Sequence, residues 1–149
     1  MLEELDIGCN EIGAIPALFT AIGSLSSLRV LRLANNKFGP KGCGLLSQAL
    51  ASSASNGSLC VLDVRTTAEW NSGHIEGAVH VPLPELPQHA DRFVGGAPVV
   101  TVCNGGYRSA IAAALLERAG TEEVIDQLGG MTAWKRAGCS ITTEIAPSI

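Results

Sequence analysis

Along the second half of the chain, the apolar residues fall into two alternating patterns. Leu59-Cys60-Val61-Leu62-Asp63-Val64 and Pro98-Val99-Val100-Thr101-Val102 are short and apolar almost throughout, as strands buried on both faces of a parallel sheet are. After the second run, Ile111, Ala112, Leu115, Leu116 and Ala119 recur at helical spacing, and Gly120 supplies a stop. Carried along the chain, this reading predicts strands at 59–64, 78–81, 98–102 and 123–127, and helices at 67–72, 83–90, 108–119 and 130–137. Strands and helices that alternate in this way build an α/β fold, a parallel sheet with helices on both faces.

The N-terminal part follows another rule. Leu2-x-x-Leu5-x-Ile7-x-x-Asn10-x-Ile12 returns 26 residues later as Leu28-x-x-Leu31-x-Leu33-x-x-Asn36-x-Phe38. The pattern resembles a leucine-rich repeat, with a short strand, an asparagine at the bend, and a convex helix suggested by Leu45, Leu46, Ala49 and Leu50. One to two such units are too few to stand alone, because each buries its face against a neighbour. The chain also begins inside the first unit, so the expectation is a piece of a longer protein or an N-terminus that leans on something else. We divide the chain into a partial repeat segment at 1–36 and an α/β domain at 37–149. Residues 37–57 are expected to be shared between the second repeat and the α/β domain.

Composition narrows the class. The 149 residues suit one domain plus an appendage, and 46% hydrophobic residues support a core despite only 4% aromatics. A net charge of −4 argues against a nucleic-acid surface. No apolar run reaches membrane-spanning length, and Met1-Leu2-Glu3-Glu4-Leu5-Asp6 is acidic where a targeting peptide is basic. The expectation is a soluble cytoplasmic protein with neither nucleic acid nor membrane as partner. Five cysteines, an odd number at irregular separations, fit neither a disulfide framework nor a zinc site, and no metal or cofactor is expected. Cys9, Cys43, Cys60 and Cys139 read as small buried apolar residues, with a resolving-thiol role for Cys139 as the alternative.

The fifth cysteine changes the picture. Cys103-Asn104-Gly105-Gly106-Tyr107-Arg108-Ser109 leaves the carboxyl end of a predicted strand and closes onto the first turn of a helix, the edge where open α/β sheets bind ligands. Gly105 and Gly106 can take positive φ, letting successive N–H groups point inward around one spot. Those amides, the helix dipole and the Arg108 cation all favour a thiolate at Cys103. The fork of Arg108 can also hold an oxyanion such as a sulfonate. Ser109 either donates to the sulfur or caps the helix.

Four separated motifs make the chain similar to the single-domain rhodanese-like sulfurtransferases over about residues 38–141. They are Leu62-Asp63-Val64-Arg65 with Glu69-Trp70; Gly73-His74-Ile75-Glu76-Gly77-Ala78 with Val81-Pro82; the Cys103 to Ser109 loop; and Leu128-Gly129-Gly130-Met131 with Trp134. The resemblance implies a cysteine that takes sulfane sulfur from a small-molecule donor, becomes a persulfide, and passes the sulfur to a thiol or cyanide acceptor. It also makes Asp63 and Arg65 a supporting pair beneath the loop. Cysteine phosphatases and arsenate reductases compete for the same reading, but four residues lie between Cys103 and Arg108 where the related dual-specificity phosphatases have five, and the smaller ring here suits one transferable sulfur. Asn104 and Tyr107 depart from the commonest loop of the family, and a bulky Tyr107 suggests a gate for the acceptor.

The remaining polar residues read as structure. Thr66 and Glu69 have the spacing of a capping box, and His74 reads as a hydrogen-bonded histidine in a turn, with a proton shuttle as its alternative. Asp63 as a general acid or base is the weaker reading, since persulfide transfer needs little beyond a thiolate and a leaving group. A function of another class stays open at this point: a repeat-bearing interaction or sulfur-sensing protein with little turnover, its protein partner docking at the N-terminal repeat edge.

Overall fold

In the computed structural model, residues 4–6, 30–32, 59–127, 129–136 and 138–144 are described. The elements are β1 (Glu4–Asp6), β2 (Val30–Arg32), β3 (Cys60–Asp63), α1 (Thr67–Asn71), β4 (Val79–His80), α2 (Leu86–His89), a 3-10 turn at Ala90–Phe93, β5 (Val99–Val102), α3 (Tyr107–Ala119), β6 (Val124–Gln127) and α4 (Gly130–Arg136). The strands form one six-stranded sheet in the order β1-β2-β6-β5-β3-β4, and every pairing is parallel. The α/β architecture expected from the alternation is therefore present.

The two apolar faces follow from the two-residue period of the strands. Val61, Val100 and Val102 join Trp70, Ile75, Met131 and Trp134 in one buried cluster, covered by α1 and α4. Leu62, Val99, Cys103 and Val124 join Leu86, Ala112 and Leu116 in the other, covered by α2 and α3. Leu62 and Leu116 are fully buried, and each contributes about 1.5–3 kcal/mol by leaving water. All four residues of β5 are buried, and the strand pairs with β6 on one side and β3 on the other, so the segment that leads into Cys103 lies inside the sheet.

Helix ends account for most boundaries. Thr66 and Glu69 form the predicted capping box at the start of α1. At the end of α3, Gly120 takes φ 103°, and the backbone turns through Gly120 N–H to Glu117 O and Thr121 N–H to Leu116 O. The helix expected at 83–90 is shorter than the apolar spacing suggested. Only Leu86–His89 is α-helical, and single turns flank it, because Pro84 and Pro87 remove two of the N–H donors a longer helix needs.

The 26-residue repeat reappears as strand register. Glu4 pairs with Val30, Leu5 with Leu31 and Asp6 with Arg32, so equivalent repeat positions lie side by side. β2 in turn pairs with β6, Val30 opposite Asp126 and Leu31 opposite Gln127. The strand beside β6 is thus a repeat strand upstream of residue 37, and the repeat strands and the α/β strands are one sheet. The shared segment at 37–57, the bend asparagines Asn10 and Asn36, and the convex helix lie outside the described residues.

Candidate active site

Asp63 and Val102 are register partners at the ends of β3 and β5, so Val64 and Cys103 leave the sheet at the same edge. From there the loop rises to Gly106, whose φ of 101° lets the chain turn into α3 at Tyr107. The back of the loop is held by main chain. Met131 N–H donates to Cys103 O at 2.8 Å and Thr132 N–H to Asn104 O at 2.9 Å, both from the first turn of α4. This approach is close enough to need glycine: a Cβ on Gly130, which has φ 53°, would fall onto the carbonyl of Cys103 and the main chain of Asn104. The Gly129-Gly130 pair was legible as a motif, but its role as the seat of the loop was not.

Cys103 is 1% exposed, and its sulfur meets converging donors. Gly106 N–H donates to Sγ at 3.0 Å, and Ser109 Oγ lies 3.5 Å from it. As a thiol, Cys103 donates to that hydroxyl, which itself donates to Gly106 O at 3.1 Å. Once the sulfur is ionised it can only accept, so the Ser109 hydroxyl is placed to turn toward it. Burial pushes the thiol pKa up. The Ser109 hydroxyl and the N–H groups of Ser109, Gly106 and Gly105 more than offset this, leaving it below the ordinary thiol value. Cys60 supplies the internal contrast: it too is desolvated, lacks such donors, and is pushed up to about 11. Ser109 therefore faces the sulfur, while its bond to Gly106 O satisfies no N–H of the helix start, and α3 has no side-chain cap hydrogen bond at Gly106, so the capping reading of Ser109 does not hold.

Arg108 departs from the cation expected at the sulfur. Its guanidinium forms a bidentate pair with Glu69, Nη1 to Oε2 at 2.8 Å and Nη2 to Oε1 at 2.7 Å. That hydrogen-bonded pairing is the main reason its pKa is raised, with the Cys103 and Asp63 charges among the smaller contributions. Glu69 also keeps its capping role, because Oε2 accepts from Thr66 N–H at 3.0 Å and Thr66 Oγ1 at 2.8 Å. The pairing with Arg108, followed by the Thr66 bonds, holds its carboxyl down at about 2 even against desolvation. Glu69 is thus a site residue that its capping-box spacing disguised.

Asp63 and Arg65 form the supporting pair. Each is 1% exposed; Arg65 Nε donates to both carboxylate oxygens at 2.9 Å, and its backbone N–H to Oδ1 at 3.0 Å. The guanidinium then reaches Gly73 O at 3.0 Å and Glu69 O at 3.3 Å, fastening α1 to the end of β3. With both oxygens of Asp63 engaged by Arg65, an acid/base role for that carboxylate has no geometric support. His74 is structural. It stacks on Trp70 at 3.4 Å, and its ring nitrogens lie 3.1 Å from Trp70 O and Glu144 O. Around the mouth, Asn104 and Gly105 are exposed and Tyr107 is 81% exposed, so an aromatic ring stands in solvent beside the loop. Cys139 is buried, and Cys9 and Cys43 lie outside the described residues. Among the described residues, no group of three His, Cys, Asp or Glu could hold a metal ion, and no helix is long and apolar enough to cross a membrane.

Ser109→Ala is expected to raise the Cys103 pKa, because it deletes the largest stabilising donor while leaving burial unchanged. The rate of thiol alkylation, followed against pH, should rise only at more alkaline pH than in the unsubstituted chain. An unmoved profile would show that the backbone amides alone set the thiolate.

The rhodanese-like domain model matches residues 46–137, and a leucine-rich-repeat model matches residues 1–15 and 24–47. Over 80 residues the chain is 36% identical to the Bacillus subtilis protein YrkF, provisionally named a sulfur carrier, covering 54% of this chain and 43% of that one. It is 39% identical over 82 residues to a tRNA uridine(34) hydroxylase of Chlamydia trachomatis, covering 50% of this chain and 25% of that one. The thiosulfate sulfurtransferase GlpE of Tolumonas auensis is 32% identical over 78 residues, covering 52% of this chain and 74% of that one. The chain thus spans less than half the length of the first two of these relatives. Among solved structures, a rhodanese-related protein from Thermoplasma volcanium superposes with a TM-score of 0.57 at 26% identity, over 66% of this chain and 95% of that one.

Proposed function

The chain belongs to the rhodanese-like domain family, and on that premise we propose that it is a sulfurtransferase whose Cys103 carries sulfur as a persulfide. One observation carries the reading: of two desolvated cysteines, Cys103 and Cys60, only the one in the loop has its thiol lowered, by donors aimed at the sulfur. In the loading step the Cys103 thiolate attacks the sulfane sulfur of a donor. With thiosulfate, the bond between sulfane and sulfonate sulfur breaks, and sulfite leaves with the bonding pair. With an alkyl persulfide, the bond between the two sulfurs breaks, and the alkyl thiolate leaves. The outer sulfur of the new persulfide then sits where the amides of Gly105 and Gly106 can stabilise negative charge. In the second step an acceptor thiolate or cyanide attacks that outer sulfur, and Cys103 leaves as the thiolate the amides favour.

Nothing in this cycle needs a proton relay, which agrees with an Asp63 committed to Arg65. The exposed Tyr107 ring supplies an apolar contact for an acceptor approaching the loop. Intact mass after incubation with an alkyl persulfide tests the reading. The expected result is a gain of one sulfur atom, mapped to Cys103, which cyanide removes as an equal amount of thiocyanate. Sulfur added only at other cysteines, or no addition with either donor, would overturn it, as would turnover of an aryl phosphate in place of sulfur loading.

A further inference from the structure

We infer that Glu69 sets the choice of sulfur donor: by holding the Arg108 fork it keeps the only cationic side chain of the loop from the sulfonate of thiosulfate and turns the site toward alkyl persulfides. The inference rests on the sulfurtransferase reading and concerns which donor loads the same cysteine. Arg108 alone within 103–109 carries a positively charged side chain, and both its Nη atoms are bonded to the two carboxylate oxygens at 2.8 Å and 2.7 Å. Those are the donors with which a guanidinium would otherwise grip an oxyanion.

Glu69 is itself fixed from the other side. Thr66 N–H and Thr66 Oγ1 hold Oε2 whether or not the arginine is there, so the carboxylate does not drift away when an anion approaches. Its carboxyl, held down at about 2, stays ionised through any working pH, so the pairing is a standing feature of the mouth. Both side chains are about one-third exposed, at 31% and 32%, which leaves them within reach of a ligand and places a negative charge where thiosulfate would bring a second. A dianion must break two charge-assisted hydrogen bonds and approach a carboxylate, whereas an alkyl persulfide presents a sulfur with no sulfonate to seat.

Glu69→Gln separates charge from structure, because glutamine serves as well as glutamate in a capping box. The ratio of kcat/KM for thiosulfate to kcat/KM for an alkyl persulfide is expected to rise about fivefold, the effect of roughly 1 kcal/mol for a partly exposed ion pair. Thiosulfate use by the variant should also fall more steeply with added salt, since a freed guanidinium now attracts the dianion. Adding Arg108→Gln should bring the ratio back down, because the gain runs through that cation. If both donors still load Cys103 but Glu69→Gln leaves the ratio unchanged, or the double variant keeps the gain, the inference is overturned alone. If neither donor loads Cys103 in the unsubstituted chain, the sulfurtransferase reading falls and the inference with it.

Discussion

Cys103→Ser is expected to remove sulfur transfer, lowering turnover by a factor on the order of 10³ or more, while the variant folds as the parent does. Serine fits the volume, and its hydroxyl can accept the Gly106 N–H that now meets the sulfur at 3.0 Å. What it lacks is ionisation: the same amides that lower a thiol below its ordinary value cannot bring a hydroxyl to an oxyanion near neutral pH. Rescue by another thiol is not expected from Cys60, whose desolvated sulfur, pushed up to about 11, is neutral under assay conditions. The measurement pairs initial rates with the unfolding midpoint. A variant that keeps a tenth of the parent rate would show that sulfur travels by another route.

The largest effect on stability is expected from Arg65→Met. The substitution leaves Asp63, 1% exposed, without the Nε donations at 2.9 Å that now satisfy both its oxygens, and strips Gly73 O of its partner. Breaking one side of a buried pair costs about 3–5 kcal/mol. Set against a total of about 5–15 kcal/mol for an ordinary domain, that is about a fifth or more of what holds the fold together. Replacing both members, Asp63→Leu with Arg65→Met, should cost less than the single change, because no buried charge is then left over. Denaturant unfolding of the single and double variants decides the point. A double variant less stable than Arg65→Met alone would mean that the pair contributes more than the satisfaction of its own charges.

The parts of this molecule that were legible in the sequence are those written in neighbouring residues. β5 and α3 could be read because the β-branched run 98–102 and the spacing from Ile111 to Ala119 each lie within one element, and Cys103 stands between them. The repeat period likewise anticipated the β1–β2 register, since a 26-residue shift and the pairing of Leu5 with Leu31 state the same relation. Legibility ended where two distant segments meet. Glu69 and Arg108 are 39 positions apart, and the local explanation of Glu69 as a cap was correct without being complete. The sequence shows Arg108 as a cation within the loop, and what it does not show is the carboxylate that the fold pairs with it. The seat of the loop on α4 was hidden for a similar reason, because main-chain bonds from Met131 and Thr132 leave no mark on side-chain composition. In the 83–90 segment the apolar spacing suggested a helix that its prolines do not allow to run its full length.

The way the loop is seated also bears on how such a protein can diversify. Cys103 and Asn104 are held through their carbonyls, by amide groups that any residue other than proline would supply at positions 131 and 132. Shape demands glycine at Gly130, and the positive φ of Gly106 and Gly129 favours it there too. The side chains of Asn104 and Tyr107, both exposed residues, take no part in that attachment, so they are at liberty to be exchanged for others while the nucleophile keeps its place. Reactivity and address are written in separate materials, one in main chain and the other in side chains. A laboratory library randomised at 104 and 107 would explore new acceptors on an unchanged sulfur chemistry.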